Sequence, residues 1–321
     1  MNLKRYFFTI LLVLFGLISS IIFCELLLRV KHSIIPNYDI EMWKYAKKLK
    51  LKVDNENIGH IHKKNKKGFF QNVEIKINNF GQRDIDFDNQ YLKKFDKKFL
   101  IIGSSIPLGW GVNQDKTFSS LLNKYSIKNK KKWLFINGGI GNYNTNRYVN
   151  NYLENWSHLE FNNIIIVYFV NDSEILQNHK GNFFTKHAHL GVLLWKLYNS
   201  LNSSLQKENI VSYYQNIYRE NYSGFIKTKQ ELKKIKSHCV EKKIRCTLVN
   251  MPDIHQLNPY KLNFINTKIK NFAEKINLDY IDLLTEFENI DETKVWNKYQ
   301  DPHPNEFAHE IISKTIFKNL N

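Results

Sequence analysis

The sequence predicts an α/β fold: a three-layer α/β/α sandwich with a central parallel sheet, preceded by an N-terminal transmembrane helix. Three observations predict it. Apolar runs of strand character recur over residues 99–102, 133–136, 163–170, 245–250 and 280–283. Segments of amphipathic helical pattern alternate with them, near 117–125, 145–156, 225–241 and 260–275, and a last helix covers about 306–318. The first thirty residues are a single apolar block behind a basic start, Met1-Asn-Leu-Lys-Arg5.

That block runs from Tyr6 to Leu28, interrupted by Ser19, Ser20 and Glu25. Its length matches a membrane span of about 20 residues. No small-x-small cleavage site ends it, and Phe23 before Cys24 is a poor lipoprotein signal, so residues 1–31 read as an uncleaved anchor. Lys4 and Arg5 precede the span and Arg29 and Lys31 follow it, so basic flanks alone do not orient it. The short N-terminus ahead of a large domain favours an extracytoplasmic domain. Residues 32–97 read as a linker and N-terminal extension, with a strand-like piece at 73–78. Arg83, within it, reads as a solvated or structural arginine rather than a substrate contact. Residues 98–321 form the main domain, with an insert rich in aromatics and Asn over about 176–223.

The 321 residues suit one sizeable domain plus appendages, and 43% hydrophobic content supplies a core. Lys and Arg number 47 against 30 Asp and Glu, a formal charge of +17 spread along the chain. No zinc-ligand spacing, helix-turn-helix or RNA-binding aromatic pattern accompanies the charge, so no nucleic-acid partner is expected. An anionic membrane surface or acidic glycan suits it better. Abundant Lys, Asn and Ile with little Ala and Pro is also the mark of an AT-rich genome, which dilutes the charge as a signal. The three cysteines form no framework: Cys24 lies in the apolar block, and Cys239 and Cys246 either pair or pack as free thiols.

In a parallel sheet the site lies at the carboxyl ends of the strands. After the first strand comes Gly103-Ser104-Ser105, then a Gly109-Trp110-Gly111 turn. Ser105, at the mouth of a buried strand, is placed as a hydroxyl nucleophile, with Ser104 as its competitor. After the second strand comes Asn137-Gly-Gly-Ile-Gly-Asn-Tyr-Asn-Thr145, whose glycines let backbone N–H groups approach an oxyanion. After the third, Asn171-Asp172 offers a side-chain amide. Near the end, Gln300-Asp-Pro-His-Pro-Asn305 holds His303 in an extended turn with Asp301 beside it to orient the imidazole. His255, at a further strand end, is a candidate for lining the substrate cleft.

Those four loops, in this order, resemble the four blocks of the SGNH (GDSL-type) hydrolase family over about residues 98–318, the insert apart. The resemblance implies a flavodoxin-like SGNH fold, with Ser105 as nucleophile, Gly139 and Asn171 as oxyanion donors and His303 as base. It departs at two places. Ser104 replaces the usual Asp, and the acid stands two residues before the His, as Asp301, where the family places it three before. Asp301 orienting His303 from a different backbone path is the expectation, a Ser105–His303 dyad the alternative. What the resemblance implies is a serine esterase acting through an acyl-enzyme, with O-acetyl groups of a carbohydrate or envelope glycan as the expected substrate. A polysaccharide O-acetyltransferase with the same residues and a non-catalytic glycan-binding or assembly protein are the alternatives. No cofactor or metal is expected: the eleven histidines are scattered, and His187 and His189 read as a solvated pair in the insert.

Overall fold

The computed structural model describes residues 3–176, 181–204, 209–298 and 301–320. The chain divides into two compact units, Met1–Lys47 with His179–Lys207, and Lys48–Asn178 with Glu208–Asn321.

The larger unit holds the sheet. Along the chain it runs through β1 (Lys97–Gly103), the one-turn helix α1 (Ser105–Leu108), α2 (Phe118–Lys128), β2 (Trp133–Gly139), α3 (Thr145–Asn155) and β3 (Asn163–Phe169). It continues through α4 (Ser223–Glu241), β4 (Arg245–Met251), α5 (Asn263–Lys275), β5 (Asp279–Asp282), β6 (Trp296–Lys298), β7 (Asp301–Pro304) and α6 (Glu306–Asn319). Strands β1 to β5 are all parallel, in the order β2-β1-β3-β4-β5. The chain leaves β1 toward one edge and then crosses to β3 on its other side. Strand β1 therefore ends at the switch point where such sheets open a crevice.

Alternation along each strand builds two cores. Leu100, Ile102, Ile136, Ile164, Ile166 and Leu248 face α3, α4 and α5. Phe99, Ile101, Phe135, Ile165, Val167 and Val249 face α2 and α6. With both faces covered, successive positions in the strand interiors are apolar, which is why the sequence showed runs rather than alternation.

Residues 48–97 pack into this same unit. Two antiparallel pairs lie there, Lys50–Lys52 with His60–His62 and Lys67–Phe70 with Val73–Lys76. Of the two readings left open for Arg83, solvated or structural, the structure favours the structural one: its side chain is fully buried. Its guanidinium donates to the carbonyls of Leu108 (2.7 Å), Gly109 (2.5 Å) and Val112 (2.7 Å), the turn that follows α1. A planar fork with five donors can satisfy several carbonyls that a tight turn leaves unpaired. Asp84 accepts from the Asn137 amide (2.8 Å), and burial pushes its carboxyl up to about 6. Cys239 and Cys246, left open by the sequence, form a disulfide between α4 and β4.

The smaller unit contains the N-terminal helix Leu3–Ile34, the helix Tyr38–Leu49 in its greater part, and the helices Phe183–His187 and His189–Ser204 of the insert. Among the described residues one helix, Lys4–Ile34, is long and apolar enough to cross a membrane.

Arg83→Leu strands two buried carbonyls, those of Leu108 and Val112, at about 1–3 kcal/mol each, since the Gly109 carbonyl also accepts the Val112 amide at 3.1 Å. Urea denaturation should show a loss of at least about 2 kcal/mol, against a near-neutral Lys94→Leu control on the exposed surface.

Candidate active site

Strand β1 delivers Ser105 to the crevice. Ser105 opens α1, which closes one turn later at Gly109. Gly109 has φ +73°, a left-handed conformation that suits glycine, and its amide donates to the carbonyls of Ser105 (3.1 Å) and Ile106 (2.9 Å). Ile106 and Leu108 are buried below, while Ser105 is half-buried.

His303 reaches the serine from β7. The sequence suggested an extended turn; the segment is a strand, paired antiparallel with β6 through Trp296–Pro304 and Lys298–Asp301. Residues two apart on a strand point to the same side. That period places Asp301 and His303 together, which accounts for an acid two residues before the histidine. His303 Nε2 stands 2.9 Å from Ser105 Oγ, and His303 Nδ1 stands 2.5 Å from Asp301 Oδ1. Asp301 is 2% exposed, and its other oxygen accepts the indole N–H of Trp110 at 3.1 Å. Trp110 was read in the sequence only as part of a turn. Its signal was an indole donor five residues past the serine.

Ser104 is not free to compete as nucleophile. It is buried, and its Oγ accepts the Tyr143 amide at 3.2 Å. The expectation for Gly139 is corrected as well. Its amide donates to Asn137 Oδ1 at 3.0 Å. A Cβ at Gly139 would lie 2.2 Å from the Leu108 nitrogen, so the glycine is there to let α1 sit against β2.

The loop beyond it is stitched to the serine turn at both ends: the Ile140 amide donates to Gly103 O (3.2 Å), and the Tyr143 amide to Ser104 Oγ. Between these ties lies Asn142, exposed and with φ +63°. Among the described residues its amide has no hydrogen-bond partner. The carbonyl of the same peptide unit, Gly141 O, accepts from Lys50 Nζ (2.6 Å) and lies 3.1 Å from His60 Nε2. In a trans peptide N–H and C=O point opposite ways, so the Asn142 N–H is aimed away from those side chains. Asn142 O accepts from Arg147 at 3.1 Å. Burial, with Arg147 nearby, brings the Lys50 ammonium down to about 7. Asn142 was overlooked because a positive-φ residue is expected to be glycine, and the sequence offered three glycines beside it.

Asn171 lies in a 3₁₀ turn, Val170–Ser173, directly after β3. It is half-buried, and its side-chain oxygen has no partner among the described residues. The turn is fixed on either side of it. Asp172 is buried and accepts the Phe169 amide at 3.1 Å, and Ser173 Oγ lies 2.8 Å from Tyr168 Oη and 3.0 Å from Thr228 Oγ1. Burial drives the Asp172 carboxyl well above its usual range.

His255 is exposed at the end of β4. Its ring Nδ1 contacts Asp253 Oδ1, and its amide donates to the same oxygen at 3.0 Å. The hydrogen bond to Asp253 raises its pKa, with the charges of Asp253 and then Asp301 adding to it. The neighbouring Ile254 carbonyl accepts from Trp296 Nε1 at 2.6 Å, which ties this loop to β6. His187 and His189 lie in the smaller unit. The solvated reading fails for His189, whose ring meets that of His32 edge-on at 4.8 Å. Among the described residues no group of three or more His, Cys, Asp or Glu is placed to hold a metal ion.

No protein-family model matches the chain. No curated protein sequence matches it either. Solved structures similar to it include TesA, 11% identical, covering 70% of this chain and 98% of that one, with a TM-score of 0.47. The psychrotrophic esterase EstA from Pseudoalteromonas sp. is 13% identical, with 70% and 100% covered and a TM-score of 0.45. Axe2, an acetylxylan esterase from Geobacillus stearothermophilus, is 13% identical, with 71% and 95% covered and a TM-score of 0.46.

Two substitutions separate the roles of the glycine and the asparagine. Gly139→Ala should lower stability by about 2–3 kcal/mol, because the α1 backbone must move. Asn142→Gly keeps the left-handed backbone and should change stability by less than about 1 kcal/mol. Thermal denaturation of both variants checks this.

Proposed function

We propose that this chain is a membrane-anchored, SGNH-type serine esterase, with O-acetyl groups of an acidic carbohydrate as its substrate class. The observation that carries the reading is the chain of contacts from Ser105 through His303 to Asp301, at 2.9 and 2.5 Å, with Trp110 on the far oxygen. A hydroxyl, an imidazole and a buried carboxylate in that order form the constellation for acyl transfer.

In the proposed mechanism, Asp301 accepts the Nδ1–H of His303 and so leaves Nε2 unprotonated toward Ser105. Nε2 takes the serine proton as Oγ attacks the ester carbonyl. The resulting oxyanion is held by the backbone N–H groups of Ser105 and Asn142 and the side-chain amide of Asn171. Asn142 takes the place first expected of Gly139, whose amide is engaged. His303 then returns the proton to the departing alcohol, and water releases the acyl group by the reverse sequence. Trp110 holds Asp301 from its other oxygen, so the carboxylate cannot rotate away from the imidazole.

The preference for an acidic glycan rests on charge. The chain carries +17, and His255 presents a ring held toward its cationic form by Asp253. The apolar helix at the N-terminus supports a membrane location, and the proposed placement of the larger unit is outside the cytoplasm.

Ser105→Ala should reduce release of acetate from an acetyl ester by about 10⁶-fold. Asp301→Asn should reduce it by about 10³–10⁴-fold. Circular dichroism should stay unchanged in both. Full turnover by the Ser105→Ala protein overturns the mechanism, and acetyl transfer to added glycan in place of acetate release makes the protein a transferase.

His255→Asn should raise KM for an acidic acetyl ester more than for a neutral one, with kcat preserved. The imidazolium persists to higher pH than in a free histidine. For the native protein, KM for the acidic ester should therefore rise as pH climbs through that raised pKa, and KM for the neutral ester should stay flat. Steady-state kinetics on the ester pair checks both outcomes.

A further inference from the structure

The smaller unit carries a second apolar surface beside its long helix. Glu25 is the sole acid of the helix Leu3–Ile34. Inside an apolar span a carboxylate is costly and needs a partner. Both of its oxygens have one: they accept the amides of His189 (3.0 Å) and Leu190 (2.9 Å), the first residues of the insert helix His189–Ser204. Arg29 closes the arrangement, bonding Glu25 at 2.8 Å and the His187 carbonyl at 3.0 Å. The interruption that Glu25 makes in the apolar sequence is thus the seat of the insert helix.

That helix has two apolar faces. One is turned inward, with Val192 buried and the Trp195 ring meeting Trp43 edge-on at 5.8 Å. On the other, Leu194, Leu197, Tyr198 and Leu201 follow the i, i+3, i+4, i+7 spacing of a single stripe, and each is more than half exposed. Phe183 and Phe184, just before it, are exposed too. Its one lysine, Lys196, pairs with Asp39. A stripe of this kind on an otherwise folded unit marks a surface that is covered.

We propose that the insert helix lies in the membrane interface, with the Leu194–Leu197–Tyr198–Leu201 stripe against lipid. Two observations favour lipid as the occupant. Lys4 and Glu25 are 21 positions apart, which at about 1.5 Å per residue is about 31 Å, one hydrocarbon thickness. When Lys4 stands at one interface, Glu25 and the start of the insert helix stand at the other. Exposed Arg29, Lys31, Lys47 and Lys186 gather at that end, suited to anionic headgroups. The helix then lies on the membrane and does not cross it, its apolar stripe in the acyl boundary and Lys196 drawn to the polar side.

The inference rests on the anchor reading and is independent of the esterase reading. Its test uses the full chain with Cys24→Ser, carrying a nitroxide on single cysteines at 194, 197, 199 or 201, in nanodiscs of phosphatidylcholine and phosphatidylglycerol. A label at Leu12 serves as the control for the span. The ratio of oxygen to nickel-chelate accessibility should be severalfold higher at 194, 197 and 201 than at 199. A water-like ratio at 197 with an immersed label at Leu12 overturns the interfacial helix and leaves the anchor standing. A water-like ratio at Leu12 as well overturns the anchor reading with it. Dipolar broadening between labels at 197 on two chains assigns the stripe to a second copy and also overturns the proposal.

Discussion

The two-residue period of a short strand is the constraint on which this site depends. Asp301 and His303 lie on β7, and their side chains share a side because the backbone there is extended. A helical turn would need a spacing of three or four to do the same. The pairing of β7 with β6 keeps the segment extended, and Asn305 ends it by capping α6, accepting the Ala308 amide at 3.0 Å. The imidazole is thus aimed by backbone geometry before any side-chain contact is made. Its contacts with Ser105 and Asp301 follow from that aim.

Around this strand the larger unit assembles its crevice from segments far apart in sequence. Arg83 gathers three carbonyls of the turn after α1, and Asp84, the next residue, takes the amide of Asn137 at the end of β2. Two adjacent residues therefore register the serine turn against the neighbouring loop. Lys50 and His60 act on the far side of that loop, at Gly141 O. A segment that reads by composition as a linker supplies much of the polar framework under the crevice.

The sheet was legible in the sequence because strands buried on both faces announce themselves as apolar runs. The end of β1 marked the place of Ser105, whereas Asp301 and His303 stood out by residue type alone, since their strand is antiparallel and lies outside the five-stranded sheet. Local pattern does not reveal which polar groups already have partners. Gly139 carried the right residue type, yet its amide is engaged by Asn137, two residues earlier on the same strand. Ser104 offered a second hydroxyl, yet a backbone amide 39 positions away occupies it. Trp110 escaped for the same reason, since its partner lies at Asp301, and the carbonyls that Arg83 holds, around Leu108, were hidden likewise. The insert helix escaped for another: its partner is Glu25, an acid in an apolar block that reads as an imperfection until the second helix is seen.

The loop from Ile140 to Tyr143 shows how a site can tolerate a residue other than glycine at a left-handed position. Asn142 bears a backbone conformation that costs most L-residues about 1–2 kcal/mol, although asparagine adopts it more readily. The surrounding bonds hold it there. Its own carbonyl is taken by Arg147, the carbonyl before it by Lys50 and His60, and the amide after it by Ser104. With both carbonyls fixed, the Asn142 N–H, which has no partner among the described residues, is left for a ligand. A positive group on the carbonyl of a peptide unit also polarises the N–H at its other end, because linked hydrogen bonds reinforce one another. Lys50, near neutrality in this environment, is charged enough to do so at lower pH and progressively less above about 7. In the proposed mechanism that N–H faces the oxyanion, so the N-terminal segment contributes to the electrostatics of the reaction through a single peptide bond.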